Sequence, residues 1–382
     1  MRLLLTFVGG FGHLAPLLPV ARAVQEAGHV VAVAGSGGLV PDIEAAGFTA
    51  FSTSRPAHHG RGPDVPRTPL EVADEHAAEV EFARNFGDRG ARRMADALPA
   101  VIEAFRPDLV LRDEADLGAT VAAELAGVPV ATHLVLASGL LVRPELVAPC
   151  LDAVRADHGL APDPELTRLT SGLLLSDTQP SFRSPDAPLR LPAVLSYRSA
   201  ATGRSGTSAR DPGRPRVYVT LGTIFTTTSG DLFERLVAGV AALGVEVVVT
   251  VGRRNDPADL GPQPATVRVE RFVPQEQLLP GVDLVVSHGG SGSLMAALAH
   301  GLPSVLVPLG ADQPHNARRA AELGVAVTLD AAAVTVEEVS AVAEAALTAA
   351  DLRRRCEAMA DELAAQPDVG VAVAALERAA LG

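Results

Sequence analysis

Residues 1–35 read MRLLLTFVGGFGHLAPLLPVARAVQEAGHVVAVAG. The apolar run 2–8 stops at Gly9-Gly10-Phe11-Gly12, an apolar-periodic segment follows from His13 to Ala27, and a second apolar run spans Val30 to Ala34. Strand, glycine turn, helix and strand make a βαβ unit of a parallel sheet. The pattern returns at Leu109–Leu111, a helix over Leu117–Ala126, and a strand over Val128–Ala131. The first half of the chain therefore reads as a doubly wound α/β domain.

Two stretches interrupt it. Ser52–Arg93 is rich in Pro, His, Gly and charge, with a helix expected after it, and 138–182 reads as irregular. Insertions of this kind usually sit at the carboxyl ends of strands, where ligands bind. YRSAATGRSGTSARDPGRP, Tyr197–Pro215, lacks apolar periodicity and reads as a linker. Fresh strands are expected at Val217–Leu221, Glu246–Val251, Val267–Glu270, Leu284–Ser287, Ser304–Val307 and Ala326–Leu329, with helices between them. The expected organisation is thus an acceptor-side domain over 1–196, a linker over 197–215 and a second doubly wound domain over 216–382. The two would face each other across a ligand cleft.

Composition narrows the chemistry. The 382 residues are 48% hydrophobic and 20% charged, enough to bury a sizeable core. The formal charge of −13 argues against a nucleic-acid or acidic-membrane surface. All 32 basic residues are arginine, so Schiff-base chemistry, pyridoxal phosphate and a lysine-bearing phosphate loop are excluded. Cys150 and Cys356 stand far apart without a CxxC pattern, and no HExxH or Cys/His cluster offers a metal site. This reads as a reduced, cytoplasmic protein with buried thiols. The apolar N-terminal run is too short for a signal-peptide core or a membrane span.

The loop Gly9-Gly10-Phe11-Gly12-His13 is a poor dinucleotide fingerprint. Position 15 is alanine where GxGxxG needs glycine, and no acid follows the second strand at Val33-Ala34-Gly35-Ser36. The loop does set His13 at a helix start, where the positive end of the dipole keeps an imidazole neutral and suited to general-base work. Further on, the strand Val282–Ser287 runs into His288-Gly289-Gly290-Ser291-Gly292-Ser293 and then a helix. Three glycines allow close backbone approach, and a helix N-terminus offers N–H groups to an anion. This is a phosphate cradle built without lysine.

These motifs resemble the inverting, metal-independent family 1 glycosyltransferases of the GT-B fold, in particular the actinobacterial natural-product branch. The resemblance spans the whole chain and is strongest over Phe272–Asn316, with an aromatic-x-Pro-Gln start, an HGGxG[ST] centre and an Asp-Gln end. The N-terminal GxxGH is an independent match. The resemblance implies that Phe272, Val273 and Gln275 hold the nucleobase. His288, Gly290, Ser291, Gly292 and Ser293 would bind the pyrophosphate, with Gly222 and Thr223 contacting phosphate from the opposite side. Asp312 and Gln313 would bind donor-sugar hydroxyls. His13 would deprotonate the acceptor and Asp113, in LRDEAD, would orient the imidazole, with Glu114 and Asp116 as possible substitutes.

Family members that use UDP-sugars often carry glutamate eight residues after the cradle histidine; here the position is Ala296. A carboxylate there serves the two ribose hydroxyls, so its loss suits a dTDP donor. The expected function is inverting transfer of a deoxyhexose from dTDP to a largely apolar natural product. No cofactor, no nucleic acid and no membrane span are expected, and a homodimer is compatible with this reading. The alternatives are a UDP-sugar transferase, a nucleotide-sugar epimerase of the same fold, or a non-catalytic auxiliary protein. His58, His59, His76 and His315 read as loop or surface residues, while His133 could line the acceptor pocket. The final helix is expected to pack back on the first domain.

Overall fold

The computed structural model describes residues 1–55, 70, 72–199, 213–222, 229–253 and 255–381. The chain divides into two compact units. The first comprises Met1–His59, His76–Ala200 and Gln366–Gly382, and the second comprises Gly60–Glu75 and Ala201–Ala365, each over its described residues.

The first unit holds seven strands: β1 (Arg2–Thr6), β2 (Val30–Gly35), β3 (Thr49–Ser52), β4 (Leu109–Asp113), β5 (Val130–His133), β6 (Leu173–Ser176) and β7 (Leu195–Ser196). Their order is β3-β2-β1-β4-β5-β6-β7, and every pairing is parallel. Alternate residues of β1 explain why the run is apolar throughout. Leu3 and Leu5 face one core, with Leu17, Val20 and Val24 of the helix Leu17–Glu26 and Ala372, Val373 and Leu376 of the last helix, Gly370–Ala379. Leu4 faces the other, with Met94, Leu98 and Ile102 of the helix Ala91–Phe105 and Ala119, Ala122 and Ala123 of the helix Gly118–Ala126. A sheet covered on both faces needs apolar side chains at every position.

The second unit repeats the arrangement with six parallel strands: β8 (Arg216–Thr220), β9 (Glu246–Thr250), β10 (Val267–Glu270), β11 (Leu284–Ser287), β12 (Ser304–Leu306) and β13 (Ala326–Thr328). Their order is β10-β9-β8-β11-β12-β13. Strand order reverses between β1 and β4 in one sheet and between β8 and β11 in the other. Ligands of doubly wound sheets bind outside the carboxyl ends of the strands at such a switch point.

Several local expectations change. The helix expected from His13 to Ala27 is two pieces, Phe11–Leu14 and Leu17–Glu26. Pro16, with no N–H to donate, stands between them. Within Ser52–Arg93 the described chain turns helical already at Glu75, and from Ala83 to Gly90 it widens to a π-helix before Ala91–Phe105 continues it. The supposedly irregular 138–182 holds the helix Pro144–Asp157 and strand β6. Cys356 is buried as expected, but Cys150 is only half-buried. Among the described residues no helix is long and apolar enough to cross a membrane.

Candidate functional site

Each unit gathers its expected residues at its own switch point. In the first, β1 and β4 run side by side with Thr6 opposite Arg112, so the Val8–His13 loop and Asp113 emerge at neighbouring carboxyl ends. His13 Nδ1 stands 3.2 Å from Asp113 Oδ2. The Asp113 carboxylate is fully buried. It accepts from the backbone N–H groups of Ala115 (2.5 Å), Asp116 (2.8 Å) and Val8 (3.3 Å), so its position is fixed from both strands. Gly9 has φ +115°, and a Cβ there would lie 2.5 Å from the His13 ring, so only glycine lets the loop fold over the imidazole.

The structure separates the three acids of the 113–116 turn. Glu114 accepts from the Val135 and Leu136 N–H groups and from Arg183 at 2.8 Å, so it is committed to neighbouring loops. Asp116 accepts from Ala119 N–H at the start of the helix Gly118–Ala126. Burial, and then the neighbouring Asp113 carboxylate, push its acid up to about 7. Only Asp113 reaches His13. Beneath the turn lies Arg112, wholly buried, whose guanidinium donates to the carbonyls of Asp113, Glu114 and Leu169. Burial lowers its affinity for its proton, and the surrounding acids oppose that.

Two aromatic residues escape sequence reasoning. The Phe86 ring lies 5.5 Å from the His13 ring and is stacked on Phe82 at 4.8 Å. Phe86 sits in the π-helical segment, a distortion often found at functional sites. The only sequence signal is NFGDRG, two glycines within an otherwise helical stretch.

In the second unit β8 and β11 pair with Thr220 opposite Ser287, which brings Gly222 and His288 together beyond the strand ends. The His288 ring packs against glycine backbone on two sides. A Cβ on Gly222, where φ is +72°, would approach the ring to 2.7 Å, and one on Gly290 to 2.6 Å. Burial lowers the His288 pKa to about 4, against opposing pulls from Asp312 and the Thr220 backbone, so the ring is neutral at pH 7. The helix Ser291–Ala299 begins just past Gly290, and its first residues are small or polar, with Gly292 exposed.

Asp312 lies across the mouth of this turn. Its Oδ2 accepts from the Ser291 N–H (3.0 Å), the Ser291 hydroxyl (2.6 Å) and the Asn316 amide (2.8 Å). Asn316, fully buried, also donates to the Gly289 carbonyl and the Ser291 hydroxyl, and so ties the turn to the helix Gln313–Leu323. Gln313 is buried, its amide oxygen accepting from Leu309 N–H at 2.8 Å. On the other flank, Gln275 donates to the Ser293 hydroxyl at 3.3 Å, and Val273 and Ala296 pack into one apolar cluster. Phe272 is 40% exposed with the Arg253 guanidinium 4.1 Å above its ring. The segment expected to meet a base therefore adjoins the expected cradle.

Thr223, His58 and His59, like most of the 197–215 stretch, lie outside the described residues. His133 is wholly buried and bonded to the Tyr197 hydroxyl at 2.8 Å. His76 is exposed, as expected, but His315 is fully buried rather than superficial. It faces inward from the first turn of its helix. Among the described residues no three His, Cys, Asp or Glu side chains form a metal-ligand set.

Comparison with known proteins agrees with this layout. Residues 22–222 match the N-terminal domain of erythromycin biosynthesis protein CIII-like proteins, and residues 234–378 match the C-terminal domain. L-demethylnoviosyl transferase of Streptomyces niveus is 32% identical over 97% of this chain and 96% of its own length. Tylactone mycaminosyltransferase of Streptomyces fradiae is 31% identical, over 99% and 92% respectively. Among solved structures, spinosyn rhamnosyltransferase SpnG complexed with thymidine diphosphate superposes with a TM-score of 0.78 at 26% identity, covering 99% of this chain and 100% of that one. The chain is a GT-B-fold glycosyltransferase and belongs to the erythromycin biosynthesis protein CIII-like family, in the actinobacterial natural-product branch of family 1.

Proposed function

We propose that the protein transfers a sugar from a dTDP-linked donor to a hydroxyl of a largely apolar natural product, with inversion at the anomeric carbon and without a metal. The observation that carries this reading is the His13–Asp113 contact of 3.2 Å at Nδ1. A carboxylate on Nδ1 fixes the tautomer and leaves the Nε2 lone pair to accept a proton, then stabilises the resulting imidazolium. The acceptor hydroxyl loses its proton to His13 Nε2 as its oxygen bonds to the anomeric carbon. The bond from that carbon to the phosphate oxygen breaks on the opposite face, and dTDP leaves with the electron pair. A single displacement inverts the centre.

The first unit holds the acceptor, and the second holds the nucleotide. Phe272 stacks on the thymine, with Val273 and Gln275 beside it. The N–H groups of Gly290, Ser291, Gly292 and Ser293 hold the pyrophosphate, with His288 and Gly222 on its other side. Asp312 and Gln313 meet the sugar. Two supports for the thymidine nucleotide are Ala296 beside Val273 and the thymidine diphosphate bound by SpnG.

Calorimetry with dTDP, with and without EDTA, tests the donor site, and the H1–H2 and C1–H1 couplings of the product glycoside test the stereochemistry. EDTA-insensitive dTDP binding and an inverted product are expected. Loss of transfer in EDTA restored by Mg²⁺, or retention at the anomeric carbon, would sink the mechanism.

A further inference from the structure

Among the described residues, the turn around His288 is short of positive charge. A diphosphate is strongly anionic, yet the chain has no lysine and His288 is neutral at pH 7. The charged side chain bonded into the turn is Asp312, itself an anion. Backbone N–H groups carry only partial charges, and here they face a carboxylate as well as the ligand.

The register of the sheet places a cation beside this turn. Glu270 of β10, Thr250 of β9, Thr220 of β8 and Ser287 of β11 are aligned across four neighbouring strands. Two residues further on, the same strands present Phe272, Gly252, Gly222 and Gly289, and Arg253 follows Gly252. Arg253 therefore leaves the sheet between Phe272 and Gly222, about one strand spacing, ~4.8 Å, from each. Its guanidinium lies over the Phe272 ring, 4.1 Å from the centroid. The other described arginine just beyond these strand ends, Arg271, lies 3.7 Å from Asp256. Arg318 and Arg319, on the helix Gln313–Leu323, pair with Glu75 and Glu322. A guanidinium on an exposed ring keeps its full charge, and its contact with the ring is weaker than charge-assisted hydrogen bonds to phosphate. Its planar fork also matches two phosphate oxygens at once.

We propose that Arg253 is the charge partner of the donor's diphosphate. Phe272 holds the guanidinium beside the path of the nucleotide, and the N–H fork donates to diphosphate oxygens of the bound donor. This deepens the nucleotide-donor reading and rests on it. A partner of the phosphates is told from a partner of the base by two ligands that share the base and differ in phosphate.

The test measures dTDP by calorimetry and thymidine by ligand-observed NMR, on full-length wild type, Arg253→Gln and Arg253→Lys. Arg253→Gln should weaken dTDP by roughly 10- to 100-fold, as for a lost hydrogen bond to a charged group, and thymidine by less than about threefold. Retained thymidine binding also reports that the variant is folded. Arg253→Lys keeps the charge without the fork and should recover part of the loss. Added salt should weaken dTDP binding more steeply in wild type than in Arg253→Gln. Unchanged dTDP affinity in Arg253→Gln, or an Arg253→Lys no better than Arg253→Gln, would overturn the proposal. Equal losses of dTDP and thymidine would also overturn it, assigning Arg253 to the base instead. Wild type that binds neither ligand takes away the donor reading, whereas wild type that binds both while Arg253→Gln keeps its dTDP affinity takes away this one alone.

Discussion

His13 and His288 each stand in a glycine-rich turn at a switch point, but on opposite sides of it: His13 follows β1, while His288 follows β11, the counterpart of β4, and their surroundings differ. His13 has a buried carboxylate at Nδ1 and a phenylalanine ring against its face. His288 lies between glycine backbones, and the nearby carboxylate, Asp312, is held by Ser291 and Asn316. Burial in the second setting keeps its ring neutral at pH 7. The proposed division of labour, a base in one unit and an anion-binding ring in the other, rests on these different neighbours.

The largest expected effect tests the base. His13→Ala should lower turnover by roughly 10²–10⁴-fold with little change in dTDP affinity. Steady-state kinetics beside calorimetry checks this, and near-wild-type turnover would remove His13 from the reaction.

Next comes the acid that does not touch a histidine. With its pKa raised to about 7 from an ordinary 3.8, Asp116 binds its proton more tightly in the folded than in the unfolded chain. Its contribution to stability is therefore complete below about pH 4 and is lost as pH rises through 7, at about 1 kcal/mol per pH unit across that window. Asp116→Asn should remove this slope, measured as urea unfolding at pH 5 and pH 8. An Asp116→Asn protein that keeps the wild-type slope would contradict the assignment.

His288→Ala should weaken dTDP binding by roughly 1.5–3 kcal/mol, the range for a hydrogen bond to a charged group, while binding at the first unit is untouched. Smaller still, and a test of donor choice, Ala296→Glu should shift preference from dUDP toward UDP by roughly five- to 150-fold, since only ribose offers both hydroxyls to the new carboxylate. Comparing dTDP with dUDP reports the thymine methyl separately. An unchanged dUDP-to-UDP ratio would leave the ribose argument without support.

What the sequence made legible follows from how local its causes are. The βαβ pattern at 1–35 and the strands of the second half were readable because strands buried on both faces are apolar throughout. Three strands were not: β3 abuts and β6 lies within stretches that read as irregular, and β7 has only two residues. The helical turns from Glu75 were hidden because a π-helical stretch, with Phe86 turned to His13, breaks the 3.6-residue repeat on which helix reading depends. The sequence favoured Asp113 in LRDEAD but left Glu114 and Asp116 open, because the partners that separate them, His13, Arg183 and a helix start, are not local to all three. The Asp312–Ser291–Asn316 network was equally out of reach, since it joins residues more than 20 positions apart.

The closing helix has a consequence for anyone recombining these enzymes. Gly370–Ala379 supplies Ala372, Val373 and Leu376 to the core beneath β1, and Arg198 N–H donates to Pro367 carbonyl just ahead of it. A chimaera joined once, near residue 210, would pair one parent's N-terminal sheet with the other parent's closing helix. Exchanging the second unit between relatives therefore calls for two junctions, with residues 366–382 kept from whichever parent provides the first unit.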